Sequence, residues 1–175
     1  MRTKVFVLFM LCLGLQNSVT AKQTTPKPDS ITVYIFLHES CIISQYYTLP
    51  LTKLSEEFSD ENMQFVGLFP NKSSKYYKIQ KFKKAYHIPF DLKSDHDKIK
   101  TKQFGATITP EVVVFNETQK EILYKGRIDD AYARVGKRRL LTSSSELKDA
   151  LTAISTNQPI AVKETKAVGC FISMR

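Results

Sequence analysis

Residues 31–44 read Ile31-Thr32-Val33-Tyr34-Ile35-Phe36-Leu37-His38-Glu39-Ser40-Cys41-Ile42-Ile43-Ser44, and this stretch decides the fold. Its first seven positions are almost continuously apolar and rich in β-branched and aromatic side chains, the pattern of a central strand covered on both faces. After Cys41, the residues Ile43, Tyr47, Leu51, Leu54 and Phe58 recur at helical spacing, so a helix over 42–58 follows the strand. Pro50 lacks a backbone donor and is expected to bend it. Cys41 thus opens a helix, where unpaired N–H groups and the positive dipole end favour a thiolate and draw its pKa from about 8.5 toward roughly 3.5–7.5. That placement suggests redox chemistry, with an inert buried thiol as the plain alternative. Ser44, one turn on, can donate its hydroxyl to the thiolate, and His38 can add positive charge.

Downstream, Met63–Phe69 reads as a second strand. The turn-like Pro70-Asn71-Lys72-Ser73-Ser74 leads into a basic amphipathic helix over about 74–86, carrying Tyr76, Tyr77, Ile79, Phe82 and Tyr86. A short strand near Ile88–Leu92 and a helix near Asp97–Phe104 precede strands Glu111–Phe115 and Glu121–Gly126, joined as a hairpin by Asn116–Lys120. A last helix, about Ser144–Ile154, repeats Leu147, Leu151 and Ile154, and the chain closes in a mobile-looking tail of some twenty residues. Strand and helix alternate, which calls for an α/β sheet with parallel pairing and right-handed crossovers.

At the other end, Arg2 and Lys4 precede the apolar stretch Val5–Leu15 and the small residues around Ala21, the pattern of a signal peptide over residues 1–21. Export to the periplasm or the extracellular space follows; a lipid anchor at Cys12 is disfavoured because Phe9-Met10-Leu11 lacks a small residue before the cysteine. A polar, proline-bearing linker over 22–30 then leads to one domain over 31–156, with the tail at 157–175. Without the leader, 24 basic residues stand against 17 acidic ones, a net charge of +7 concentrated between Lys72 and Lys102. That excess reads as a solvated lysine face, with peripheral membrane contact or an acidic partner second and nucleic acid excluded for an exported chain. Cys41 and Cys170 are then each other's only intramolecular partners in a compartment where disulfides persist. The scattered His38, His87 and His96 argue against a metal site, and no cofactor motif is present.

The order of strand Ile31–Leu37, Cys41 at a helix start, strand Met63–Phe69 and Thr107-Ile108-Thr109-Pro110 before the closing hairpin resembles the thioredoxin-like superfamily, in its redoxin or peroxiredoxin-like (AhpC/TSA) branch. The resemblance implies a three-layer α/β/α sandwich with a central mixed β-sheet. It also implies a cis Thr109–Pro110 bond facing the cysteine, so that the backbone of Thr109 turns outward to pair with a substrate strand. Gly126-Arg127-Ile128-Asp129-Asp130, Lys137-Arg138-Arg139 and Val168-Gly169-Cys170 resemble a group of exported redoxins that often carry a Cys-Pro-Ile-Ser site. Here Ile42 replaces the proline, Ser44 replaces a thioredoxin's second cysteine, and His38 and Tyr34 stand where peroxiredoxins place a threonine or serine and a proline.

The reading is an exported thiol–disulfide oxidoreductase, monomeric or weakly dimeric, acting on protein or small-molecule thiols and disulfides. Cys41 is the nucleophile, Thr109 and Pro110 shape the groove, and Cys170 on the tail resolves the mixed disulfide that Ser44 cannot. A peroxidase acting on peroxides is the first alternative. A non-catalytic binding module with a structural Cys41–Cys170 disulfide is the second. Asp129-Asp130 is expected to be solvated, or to bind a cation or pair with Arg127. Arg127, Arg134, Arg138 and Arg139 lie in or beside a loop suited to binding, and one of them beside Cys41 would support a thiolate. Tyr46 and Tyr47 can line the site, with core packing the readier role for Tyr47. The sequons at Asn71 and Asn116 assign no site.

Overall fold

The computed structural model describes residues 29–59 and 62–174, so the signal peptide expected over 1–21 and most of the linker expected over 22–30 lie outside the described residues. The apolar run forms strand β1 (Ile31–Phe36), buried at every position, and Cys41 caps helix α1 (Ile42–Glu57), which runs through Pro50 as one element. β2 (Met63–Phe69) pairs parallel with β1 in full register from Ile31 opposite Met63 to Phe36 opposite Leu68. After helix α2 (Tyr76–Ala85), strand β3 (Asp91–Ser94) pairs parallel with β2, later than expected. Ile88 and Phe90 are instead core residues in the approach to that strand.

Helix α3 (Ile99–Phe104) starts two residues after the expected point because Asp95 accepts the N–H groups of Lys100 and Thr101 and the Thr101 hydroxyl, satisfying donors that a helix start leaves open. Lys98, one of the lysines expected on a solvated face, is buried in a left-handed backbone conformation with its ammonium donating to the Pro70 carbonyl at 2.5 Å. The two-residue β4 (Ile108–Thr109) and the cis Thr109–Pro110 bond precede β5 (Glu111–Asn116), which runs antiparallel to β1 and to β6 (Glu121–Gly126). The sheet order is therefore β3-β2-β1-β5-β6, a mixed sheet with β1 at its centre.

Alternation along β1 divides the core. Ile31, Val33, Ile35 and Leu37 join the apolar faces of α1 and α2, while Tyr34 and Phe36 face the opposite layer with Phe104 of α3. The long loop after β6 holds a small hairpin that the sequence did not suggest, β7 (Tyr132–Arg134) against β8 (Lys137–Arg138). Helix α4 (Glu146–Ser155) then returns to the first layer through Leu147, Ala150 and Leu151.

The tail departs most from expectation. It is a docked strap rather than a loose end. Glu164 bridges Lys125, and β9 (Cys170–Phe171) pairs antiparallel with β4, placing Cys170 opposite Thr109. Ile172 and Ala167 are buried, the Ile172 N–H donates to the Thr107 carbonyl at 2.9 Å, and the Ser173 N–H donates to the Asn71 side chain at 2.8 Å. Two glycines admit it. A Cβ on Gly126, at φ +144°, would lie 2.2 Å from the Thr165 hydroxyl, and one on Gly169 would lie 2.0 Å from the Thr109 carbonyl oxygen.

Candidate functional site

β1 and α1 together deliver Cys41 to the carboxyl end of the central strand. The Cys41 backbone is extended, its own N–H donates to the His38 carbonyl at 3.0 Å, and its carbonyl accepts the Gln45 N–H at 2.9 Å. The sulfur lies 3.4 Å from the Thr109 carbonyl oxygen, to which the thiol donates, and 2.8 Å from the sulfur of Cys170, whose thiol donates to it. Cys41, Thr109, Pro110 and Cys170 thus converge, although 129 positions separate the two cysteines. Both are free thiols.

Their environments divide the two protons. Burial works to raise the Cys41 thiol. Hydrogen bonds from the Cys170 thiol, from the N–H and hydroxyl of Ser44 and from the N–H of Ile43 outweigh it, and Cys41 titrates below an ordinary thiol. Cys170 is pushed up to about 11, first by burial and then by the hydrogen bond and charge it shares with Cys41. One sulfur becomes the thiolate while its neighbour keeps a proton, and the pair titrates as a unit.

Ser44 is fully buried, and its oxygen also accepts the His38 N–H at 3.3 Å. The His38 ring engages the Ser73 hydroxyl at 3.2 Å and lies 3.9 Å from the Glu39 carboxylate. Among the described residues, the leading groups that lower Cys41 are Cys170, Ser44 and Ile43 rather than an arginine. Arg127 pairs with Glu146, Arg139 lies 3.5 Å from Asp130, and the Arg138 guanidinium covers the Tyr46 ring at 5.2 Å. Among the described residues no group of three His, Cys, Asp or Glu side chains could hold a metal ion.

The two adjacent acids are structural, not solvated. Asp129 accepts the Tyr47 hydroxyl at 2.5 Å and the Ala131 N–H at 2.8 Å, while Asp130 is buried and accepts the Ser143 hydroxyl and the N–H groups of Ser143 and Ser144. Burial and the Asp129 hydrogen bond drive the Tyr47 phenol far up, so it stays a donor. Tyr47, Pro110, Arg127, Ile128, Asp129, Tyr132 and Val168 line a cavity of about 10 Å³. The contribution of Val168 and Gly169 to this site was not legible in the sequence, beyond the glycine's position next to a cysteine. Both sequons are likewise structural, since Asn71 and Asn116 are buried and accept backbone N–H groups.

No family model and no curated protein matches the chain. Solved structures do. An uncharacterised conserved protein from Geobacillus kaustophilus superposes with a TM-score of 0.74 at 20% identity, covering 85% of this chain and 79% of its own. A hypothetical protein from Sinorhizobium meliloti 1021 gives 0.71 at 19%, covering 83% and 80%. The dsbF protein of Mycobacterium tuberculosis, solved in mixed oxidised and reduced forms, gives 0.54 at 19%, covering 71% and 81%. At such identities the likeness is one of fold, and that fold is the thioredoxin-like α/β sandwich.

Proposed function

We propose that this thioredoxin-fold chain is an exported thiol–disulfide oxidoreductase whose working pair is Cys41 and Cys170. The observation that carries the reading is the 2.8 Å approach of the two sulfurs beside Thr109 and Pro110, with Cys41 at a helix N-terminus. The Cys41 thiolate attacks one sulfur of a substrate disulfide. A Cys41–substrate bond forms as the substrate bond breaks, and the departing sulfur leaves as a thiolate that takes up a proton. Cys170 gives up its proton and attacks the Cys41 sulfur, so the Cys41–Cys170 bond forms and the second substrate sulfur leaves as a thiol. Two electrons pass from the protein dithiol to the substrate disulfide, and exchange with an external dithiol reverses the protein's change.

The raised Cys170 thiol suits the second step, because it stays protonated and unreactive until Cys41 has lost its negative charge. Titration of the pair against a glutathione series, read by mass mapping, tests the proposal. A midpoint between about −120 and −270 mV is expected, the range of exchange catalysts. A bond that resists reduction below about −300 mV would make the pair a structural staple and overturn it.

A further inference from the structure

We infer that the β4 edge beside Cys41 is a shared berth, held at rest by the chain's own segment 167–173 and taken during turnover by an extended polypeptide carrying the substrate disulfide. The preferred substrate strand has a glycine immediately before its reacting cysteine and a small apolar residue before that. This rests on the exchange reading above and adds the resident occupant of the substrate edge, the sequence it selects and the way product leaves.

Three observations define the berth. The resident segment is held as a substrate strand would be: β9 runs antiparallel to β4, Thr109 and Cys170 are opposed, and the Thr109 hydroxyl donates to the Cys170 carbonyl at 3.3 Å. The position before the cysteine tolerates no side chain, since a Cβ on Gly169 would lie 2.0 Å from the Thr109 oxygen and 2.6 Å from its carbonyl carbon. The position before that is confined, since half-buried Val168 packs on the core and lines, with Tyr47, Pro110 and Tyr132 and the polar Arg127 and Asp129, a cavity with space for about one water. Valine, glycine, cysteine is therefore the pattern this edge already holds.

With the segment in place Cys41 is 1% exposed, so a polypeptide disulfide reaches it only when the segment lifts. The segment is suited to lifting. Its paired strand is two residues long and Phe171 is 82% exposed, so its apolar hold comes mainly from Ala167 and Ile172, enough to dock it at rest and few enough contacts to release together. When Cys170 returns to resolve the mixed disulfide, it comes on the strand that refills the same edge. Resolution and expulsion of the product strand are then one event.

The experiment uses the full chain carrying Cys170→Ser, which removes the resolving thiol and keeps the strand. It is mixed with the peptide of residues 166–173 as its thiopyridyl disulfide, with the same peptide bearing Gly169→Ala, and with a small aromatic disulfide as a measure of Cys41 competence. The expected result is that the parent peptide transfers to Cys41 at least tenfold faster than the Gly169→Ala peptide. Adding Gly169→Ala to the protein itself should accelerate the parent peptide again, because the resident strand no longer seats. Equal rates for the two peptides, with the small disulfide reacting normally, would overturn the shared berth and leave the exchange chemistry standing. A Cys41 inert to the small disulfide even in the protein carrying Gly169→Ala would overturn both.

Discussion

Two thiols of the same chemical type are made unlike by a few donors. Burial opposes ionisation at both sulfurs, yet Cys41 also receives hydrogen bonds from Cys170, Ser44 and Ile43, and its charge in turn holds the Cys170 proton in place. The Cys170 donor is the one that mutagenesis removes most cleanly. A hydrogen bond to a charged group contributes about 1.5–3 kcal/mol, and 1.36 kcal/mol corresponds to one pH unit. Cys170→Ala should therefore move the Cys41 midpoint, followed by the ultraviolet absorbance of the thiolate, upward by about one to two pH units. Ser44→Ala should move it the same way by less, because the Ser44 N–H remains. An unchanged midpoint in Cys170→Ala would mean that the sulfur contact does not set the charge.

At the scale of elements, the tail and the loop before α4 are held by contacts that local pattern does not announce. Ala at Gly126 would meet both the hydroxyl and the carbonyl of Thr165 within 2.4 Å, in a backbone region that L side chains rarely adopt. Strain and overpacking of this kind each cost about 1–3 kcal/mol, so Gly126→Ala should destabilise the chain by about 2–6 kcal/mol in urea titration. It should also raise hydrogen exchange across 163–172. Asp130 fastens the loop to α4. The Ser143 hydroxyl first, then the N–H groups of Ser143 and Ser144 and the Arg139 charge, draw its carboxyl down to about 2, against about 3.9 when unfolded. A depressed carboxylate stabilises the fold above its unfolded value, and that contribution is lost as pH falls through the folded one. The window is about pH 4 to 2. Asp130→Asn should be less stable at neutral pH and lose less on acidification through that window, as urea midpoints would show. These contacts explain what the sequence could and could not disclose. β1, α1, β2 and the β5–β6 hairpin follow from continuous apolar runs and helical spacing, which single out Cys41, whereas Thr109 and Pro110 stand out only through the resemblance to the thioredoxin-like superfamily. The β7–β8 hairpin, the acid clamp and the docked strap rest on backbone fits and on side chains far apart in sequence, which leave no periodicity.

Across the whole molecule, a Cys41–Cys170 bond would couple redox state to fold stability. Joining Cys41 to Cys170 closes a loop of about 130 residues, for which chain entropy alone predicts about 4–5 kcal/mol of added stability. The difference in stability between oxidised and reduced protein equals the difference in potential between the folded and unfolded pair, at about 30 mV for each 1.4 kcal/mol. A working exchange pair therefore needs a reduced fold that is itself well held. The strap supplies this through buried Ala167 and Ile172 and its backbone pairing with β4, and the lowered Cys41 thiol adds to it. The oxidised form should accordingly exceed the reduced form by only about 1–3 kcal/mol, below the chain-entropy figure. The gap should also move with pH in a definite sense. Cys41 titrates below its unfolded value of about 8.5, so it stabilises the reduced fold above that value and loses this effect as pH falls through its folded one. The gap narrows as pH climbs toward about 8.5. Above that point the unfolded chain ionises both thiols while folded Cys170 holds its proton to about 11, so the reduced fold weakens and the gap widens again. Urea unfolding of both redox forms from neutral to alkaline pH should trace this minimum. A gap of the full chain-entropy size, flat with pH, would instead describe a staple whose thiols never share a charge.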